Sequence, residues 1–324
     1  MNAYCLTRFL LSLGALLFLP LSGQDAWSQP TRTIKIVVPV PPGGGMDFLA
    51  RLLAEQIGRT QGLTMVIESR PGAGGMIATE AVSRAAPDGT TLLIYSSAVL
   101  IDAHVRKLNF DPLTSFEPIC DLVNLPSVIA VNSASPYRTL ADLLNAARAK
   151  PRELTLASLG PGTVQQIGFE ALKRVANIDM TFVPYPGMAP AVNALLGEHV
   201  TSMFGSYLNV AEHVKAGKLR VLATASRTRI EPLPDVPTVA ESGYKDFEVD
   251  NWFGVVAPAK TSKEALSQLA GWFAAAMQVP EIRAKLVVQG LYPVGTCGAD
   301  FGALLRKQYD EYGRVIREAD IKAE

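Results

Sequence analysis

The sequence is short of the residues that usually announce chemistry. Only three cysteines occur in 324 residues, with no CxxC pair, so neither a redox dithiol nor a zinc site is expected. The three histidines, His104, His199 and His213, fall in no HExxH pattern, and no GxSxG turn supplies a nucleophile elbow. His199 and His213 read as solvated residues at helix ends. No GK[ST] closes a phosphate-binding loop. An excess of one charge is also missing, since 30 Lys plus Arg balance 30 Asp plus Glu for a formal net charge of +0. A nucleic-acid binder needs a positive field to collect phosphates, so that class falls away. No stretch repeats at a fixed period, which excludes a solenoid. No apolar run reaches the roughly 20 residues that span a bilayer. What is there is a core: 48% hydrophobic and 19% charged residues exclude a disordered chain. The length is enough for about two domains.

Near the start, Arg8 precedes the apolar run Phe9 to Leu19, which Pro20 breaks. A positive start, a short apolar centre and a small-residue exit describe a secretory signal peptide. Ala26-Trp27-Ser28 places small residues where a signal peptidase reads, so cleavage is expected before Gln29, with 1–28 as the signal peptide. The mature protein is then expected to be exported. Cys5 lacks a lipoprotein-type box before it. Cys120 and Cys297 remain, in a compartment that permits a disulfide. They read most simply as two small buried hydrophobes, and their pairing is left open.

The mature part opens with the β-branched run Ile34 to Val40, a buried strand ended by Pro41-Pro42-Gly43-Gly44-Gly45. Phe48, Leu49, Leu52, Leu53 and Ile57 then recur at helical spacing, with Gly58 as a stop. Strands are expected at 63–67 and 90–95, with a helix at 77–84 between them. Farther on, 128–131, 154–158, 182–185, 219–225 and 252–257 read as strands. The segments 139–149, 165–175, 189–196, 265–278 and 299–319 read as helices. Strand, short loop and helix in alternation is parallel α/β construction.

Three expected strand ends carry glycine-rich loops that open helices: Pro42-Gly43-Gly44-Gly45, Gly72-Ala73-Gly74-Gly75 and Gly160-Pro161-Gly162-Thr163. Any one of them is how a short βα loop is built. Three on successive units point to a site, because glycine lets a ligand approach the backbone. Free N–H groups at a helix start also bind anions without a cation. A dinucleotide enzyme is the competing reading, with Gly43, Gly45 and Glu68 in suggestive places. Phe48 stands where the third glycine belongs, however, and Pro41 and Pro42 stiffen the turn. Asp47 reads as a helix N-terminal cap or dipole partner, or as the residue that orients the loop, or a water, around a ligand. Met46 and Met76 suit core filling or the wall of a pocket, and Trp252 suits hinge or core packing.

These residues carry a resemblance. PVPPGGGMDFLAR from Pro39, ESRPGAGGMI from Glu68 and PDGTTLL from Pro87 are similar to the substrate-binding proteins of tripartite tricarboxylate transporters, the Bug-type receptors. So are VPYPGMAPAVNALLG from Val183, PDVPTVAE from Pro234 and WFGVVAP from Trp252, in the family's order and over essentially the whole mature chain. The resemblance implies a type II-like periplasmic binding protein of two α/β domains joined by two crossover strands, with a ligand cleft between them. It implies no catalysis, cofactor or metal. Domain 1 would comprise 29–128 plus 252–324, and domain 2 would comprise 129–251. Carried over, the first clamp is Pro42, Gly43, Gly44, Gly45, Met46 and Asp47, with Gly75 and Met76 beside it. Ser96 and Ser97 would offer hydroxyls. Gly160, Gly162, Thr163, Gln165 and Gln166 would face them, and Tyr185, Gly187, Met188 and Ala189 would close the second side.

The expected partners are a small carboxylate and the membrane permease subunits of a tripartite transporter or, as the alternative, a sensor kinase. The protein is expected to be a monomer. Several positions depart from the family pattern. Met46 replaces a usual Ser, Thr or Asn, Met76 a usual Asn, Val164-Gln165-Gln166 a usual Ser and His, and Thr201 a frequent Asp. Capture by main-chain amides survives these changes. The far end of the ligand is then free to differ, and an apolar or aromatic body is expected.

Overall fold

The computed structural model describes residues 33–322 except 161, 246 and 250. The expected signal peptide lies outside the described residues. The described residues form two sheets. β1 (Thr33–Val38), α1 (Gly45–Gln61), β2 (Thr64–Ser69), α2 (Met76–Ser83), β3 (Thr91–Ser96) and α3 (Ser97–Val105) come first. β4 (Phe116–Leu125) ends the first passage, and Pro126 leads into β5 (Ser127–Asn132) of the other sheet. There follow α4 (Leu140–Ala149), β6 (Thr155–Leu159), α5 (Val164–Ala176), β7 (Thr181–Tyr185), α6 (Met188–Leu196), β8 (Ser202–Ser206), α7 (Tyr207–Lys215) and β9 (Leu219–Thr224). The chain then returns as β10 (Asn251–Pro258), followed by α8 (Lys263–Gln278), α9 (Pro280–Val288), β11 (Tyr292–Cys297) and α10 (Ala299–Glu318).

The first sheet has six strands in the order β11-β4-β10-β3-β1-β2, and the second has five in the order β7-β6-β8-β5-β9. Both mix parallel and antiparallel pairs. Alternation decides the faces. Ile34, Ile36 and Val38 pack with Leu49, Leu53 and Phe273 on one side of the first sheet, whereas Val37, Leu93 and Tyr95 belong to the core on the other. Likewise Val128 and Ala130 face a cluster with Ala191 and Val210, whereas Ile129 and Val131 join Leu143, Phe169 and Leu172. One core therefore runs on from the first sheet to the second, and it includes Phe247, Val249 and Trp252.

Several boundaries differ from the sequence reading. The first helix runs past Gly58 and stops at Gly62, whose left-handed φ of 64° takes the position that glycine tolerates. The C-terminal stretch holds a strand, β11, as well as helices. Cys120 and Cys297 pair as a disulfide between directly opposed residues of β4 and β11. The two are thus a covalent clasp on an edge strand, not independent buried hydrophobes. Trp252 is 1% exposed, its indole N–H donates to Gln308 Oε1 (2.6 Å), and its ring meets Phe301 edge-on, a packing role.

Candidate functional site

Strand direction gathers the loops. β1, β2 and β3 are parallel, and Val38 pairs with Ser69, so their carboxyl ends share one edge of the first sheet. β10 runs antiparallel and brings Phe253 opposite Ser96 at that edge, while Leu125 of β4 pairs with Asn251. In the second sheet Leu159 pairs with Tyr185 in parallel, and Ser127 of antiparallel β5 lies opposite Ser206. Pro126 links Leu125 to Ser127, so the carboxyl edges of both sheets flank it. The Tyr207 N–H donates to the Pro126 carbonyl (2.8 Å).

Six helices begin at these edges, with Gly44, Gly75, Ser96, Thr163, Gly187 and Ser206 as their N-caps. Only Thr163 caps its helix with its side chain, accepting the Gln166 N–H. By contrast α4 and α8, which begin at the opposite edges, carry side-chain caps at Thr139 and Ser262. Uncapped helix starts leave amide N–H groups for another acceptor, and the helix dipole makes an anion the favoured one.

The first loop is held from within. Gly43, at φ +96°, donates its N–H to Asp47 Oδ2 (3.0 Å), and Arg51 Nε donates to the same oxygen (2.9 Å). The Arg51 hydrogen bond, aided by the Gly43 N–H, holds the Asp47 carboxyl below its usual range although burial opposes this. Gly44 takes the cap position, so Asp47, inside the first turn, is the dipole partner and not the cap. Its Oδ1 is buried and has no hydrogen-bond partner. Pro42 to Gly45 are exposed. Gly75 is buried and packs so near Pro39 that a Cβ would stand 3.0 Å from the proline ring. Met46 and Met76 are half-buried and lean on separate cores. Ser96 is buried at the edge, whereas Ser97 sits beneath it and donates to Asn251 Oδ1 (3.0 Å).

The loop after β6 repeats the device. Gly162, at φ +75°, donates its N–H to Gln166 Oε1 (2.9 Å), and the Thr163 hydroxyl donates to the Gly160 carbonyl (3.0 Å). Gln165 is 5% exposed. Tyr185 ends β7, Gly187 caps α6, and Met188 lies over Gly205, where a Cβ would collide with its thioether methyl. Ala189 is exposed one residue further on.

The sequence reading missed several residues. Phe253 and Leu291 lie beside the first loop, each with an atom 3.7 Å from where a Cβ on Gly45 would stand. Tyr292, from the first sheet, packs against a core of the second. Burial and the nearby Tyr207 push its hydroxyl up to about 12. None follows its partner in sequence, so no local pattern could have shown them. A cavity of about 800 Å³ involves β4, β11, α10 and the residues after β9, and none of the expected ligand-binding residues line it. Among the described residues, no group of acids, histidines and cysteines could hold a metal, and no helix is long and apolar enough to cross a membrane.

Residues 49–321 match the family described as Tripartite tricarboxylate transporter family receptor. The chain is 31% identical to protein BugT of Bordetella pertussis, over 98% of this chain and 99% of that one. A TctC solute binding protein from Polaromonas has a similar structure, with a TM-score of 0.83 and 26% identity over 90% of this chain and 100% of that one. So does a Rhodopseudomonas palustris protein solved with adipate, with a TM-score of 0.71 and 30% identity over 91% of this chain and 99% of that one.

Proposed function

Since this chain belongs to the tripartite tricarboxylate transporter receptor family, we propose that it captures a small organic carboxylate in the periplasm and delivers it to a membrane transporter. The observation that carries this reading is the set of six helix starts, five of them without side-chain caps, at the carboxyl edges of two sheets that flank Pro126. Main-chain amides of the loops at 42–47 and 160–166 grip the acid, and waters bridge where direct contact falls short. The adipate bound to the R. palustris relative supports the ligand class. Among the described residues, β1–β4 with β10, β11 and their helices form one lobe and β5–β9 with theirs the other, so the boundaries fall at Pro126 and before Asn251, not at the expected 128/129 and 251/252. Closure about the crossover strands excludes water and strengthens the hydrogen bonds inside. Met46, Met76, Phe253 and Leu291 favour a ligand with an apolar or aromatic body. Export should remove the segment through Ser28, and mass spectrometry of the periplasmic protein should then read Gln29 as its N-terminus.

A thermal-shift panel of mono-, di- and tricarboxylates, aromatic acids and amides tests the reading. Ligand at 100 times its Kd stabilises by about 2.7 kcal/mol, a readily seen shift. A panel in which no carboxylate raises the melting point removes the reading. A shift with short aliphatic diacids alone removes only the apolar body.

A further inference from the structure

Away from the glycine loops, the cavity of about 800 Å³ falls within the size of small-molecule sites, roughly 300–1,000 Å³. One wall is a stripe of α10, Asp300, Ala303, Leu304, Lys307 and Gln308, at the spacing of a single helix face. Asp121 and Asn124 of β4 lie along it with Trp252 and β11, and Arg227 and Glu248 come from the segment between β9 and β10.

Gln308 supplies a donor. It is 3% exposed, and its Oε1 accepts the Trp252 indole N–H (2.6 Å). An indole nitrogen only donates, so the amide oxygen must face Trp252 and the NH2 is left for the cavity that Gln308 lines. No described residue accepts from it, and a buried NH2 calls for an acceptor. Arg227 is exposed and in no ion pair among the described residues. Lys307 and Glu248 offset each other at 3.3 Å.

The remaining charges are sorted by position. Trp252 pairs with Asn124, next to Leu125 and Pro126, whereas Asp121 pairs with Thr296. Three residues of strand, about 10 Å, separate Asn124 from Asp121. Gln308 bonds to Trp252 and so lies at the Asn124 end. Arg227 lies at that end too, since the nearby Ala225 N–H donates to the Ser127 carbonyl (2.8 Å). Asp300 follows Cys297, the partner of Cys120, and so lies at the Asp121 end. Eight residues of helix, about 12 Å, separate it from Gln308. One end thus offers a guanidinium and an amide NH2, the other two carboxylates, with Val294 and Leu304 between.

We propose that this groove is a second binding site, for a linear ω-amino carboxylic acid. Its carboxylate meets Gln308 and Arg227, its methylene chain lies along Leu304 and Trp252, and its ammonium faces Asp300 and Asp121. None of the loop residues at 42–47 and 160–166 takes part, so the groove stands or falls apart from carboxylate capture.

Trp252 fluorescence tests it. In protein lacking the segment through Ser28, Trp272→Phe leaves Trp252 as the sole tryptophan. ε-Aminocaproate should change its emission saturably. Caproate, adipate and hexamethylenediamine keep the length but lose or reverse one charge, and should bind on the order of tenfold more weakly. Gln308→Glu keeps an acceptor for Trp252 but puts a carboxylate oxygen where the NH2 was, and should lose the response. Arg227→Gln and Asp300→Asn change exposed side chains and should each weaken binding about fivefold. A Gln308→Glu protein that fails to fold leaves those two to decide. No saturable response at millimolar ε-aminocaproate overturns the proposal. So does an equal response to caproate or adipate, or one that Arg227→Gln and Asp300→Asn leave unchanged. Heat of binding in calorimetry without a Trp252 response places the acid elsewhere, which overturns the groove and leaves carboxylate capture standing.

Discussion

At position 47 one carboxylate orders a loop, pairs with an arginine and sits buried at the start of a helix. Its folded-state pKa lies below the ordinary value because Arg51 and the Gly43 N–H bind the charged form. Its contribution is therefore complete above the ordinary carboxylate pKa and is lost as pH falls through the folded value. Urea melts of wild type and Asp47→Asn should differ most at neutral pH and converge as pH falls below the carboxylate range. A difference that persists unchanged in acid would remove this account of the loop. Gly43 makes a second residue-scale case, since its φ of +96° lies where an L side chain is strained, although no atom stands within 4 Å of a Cβ there. Gly43→Ala should cost about 1–2 kcal/mol of stability, from backbone strain and not from a clash. The same variant should weaken carboxylate binding in titration.

Among the elements, the β-branched run at 33–38 and the helix at 299–318 were legible because their apolar periods are undisturbed. Thr139, read as the start of a helix, is its cap, with a full capping box to Asp142. β4 was not legible. Its sequence FEPICDLVNL breaks alternation with Pro118, Asp121 and Asn124, and its pairing with β10 shifts register between Phe253 and Gly254 and again between Val255 and Val256. β8 is only SMFGS, and α3 follows β3 in one apolar stretch where strand and helix cannot be told apart by period. In the site, the glycine loops were visible, but Phe253 reaches Gly45 because β10 inserts antiparallel between β3 and β4, and Leu291 reaches it from the turn between α9 and β11. Close packing of elements gives another expectation. A Cβ on Gly168 of α5 would stand 2.6 Å from Phe204 and 2.8 Å from Val249. Gly168→Ala should therefore destabilise by about 1–3 kcal/mol in denaturant titration, through overpacking.

Over the whole molecule, the core that runs from one sheet to the other is crossed by surface ion pairs, Arg174 with Glu318 and Lys307 with Glu248. Such exposed pairs are worth about 0–1 kcal/mol each and weaken with salt. A rise in ionic strength should therefore change the radius of gyration in X-ray scattering only slightly, whereas saturating carboxylate should reduce it. A larger response to salt than to ligand would contradict closure around a cargo.

The Cys120–Cys297 clasp bears on how any sample of this protein is prepared. Protein lacking the segment through Ser28 will carry two free sulfhydryls when made in a thiol-reducing cytosol, and none when made in an oxidising compartment. The oxidised form should be more stable by about 2–4 kcal/mol. Two laboratories could thus record different baseline melting curves from one gene, and a thiol count by Ellman's reagent on unfolded protein would say which form each had in hand.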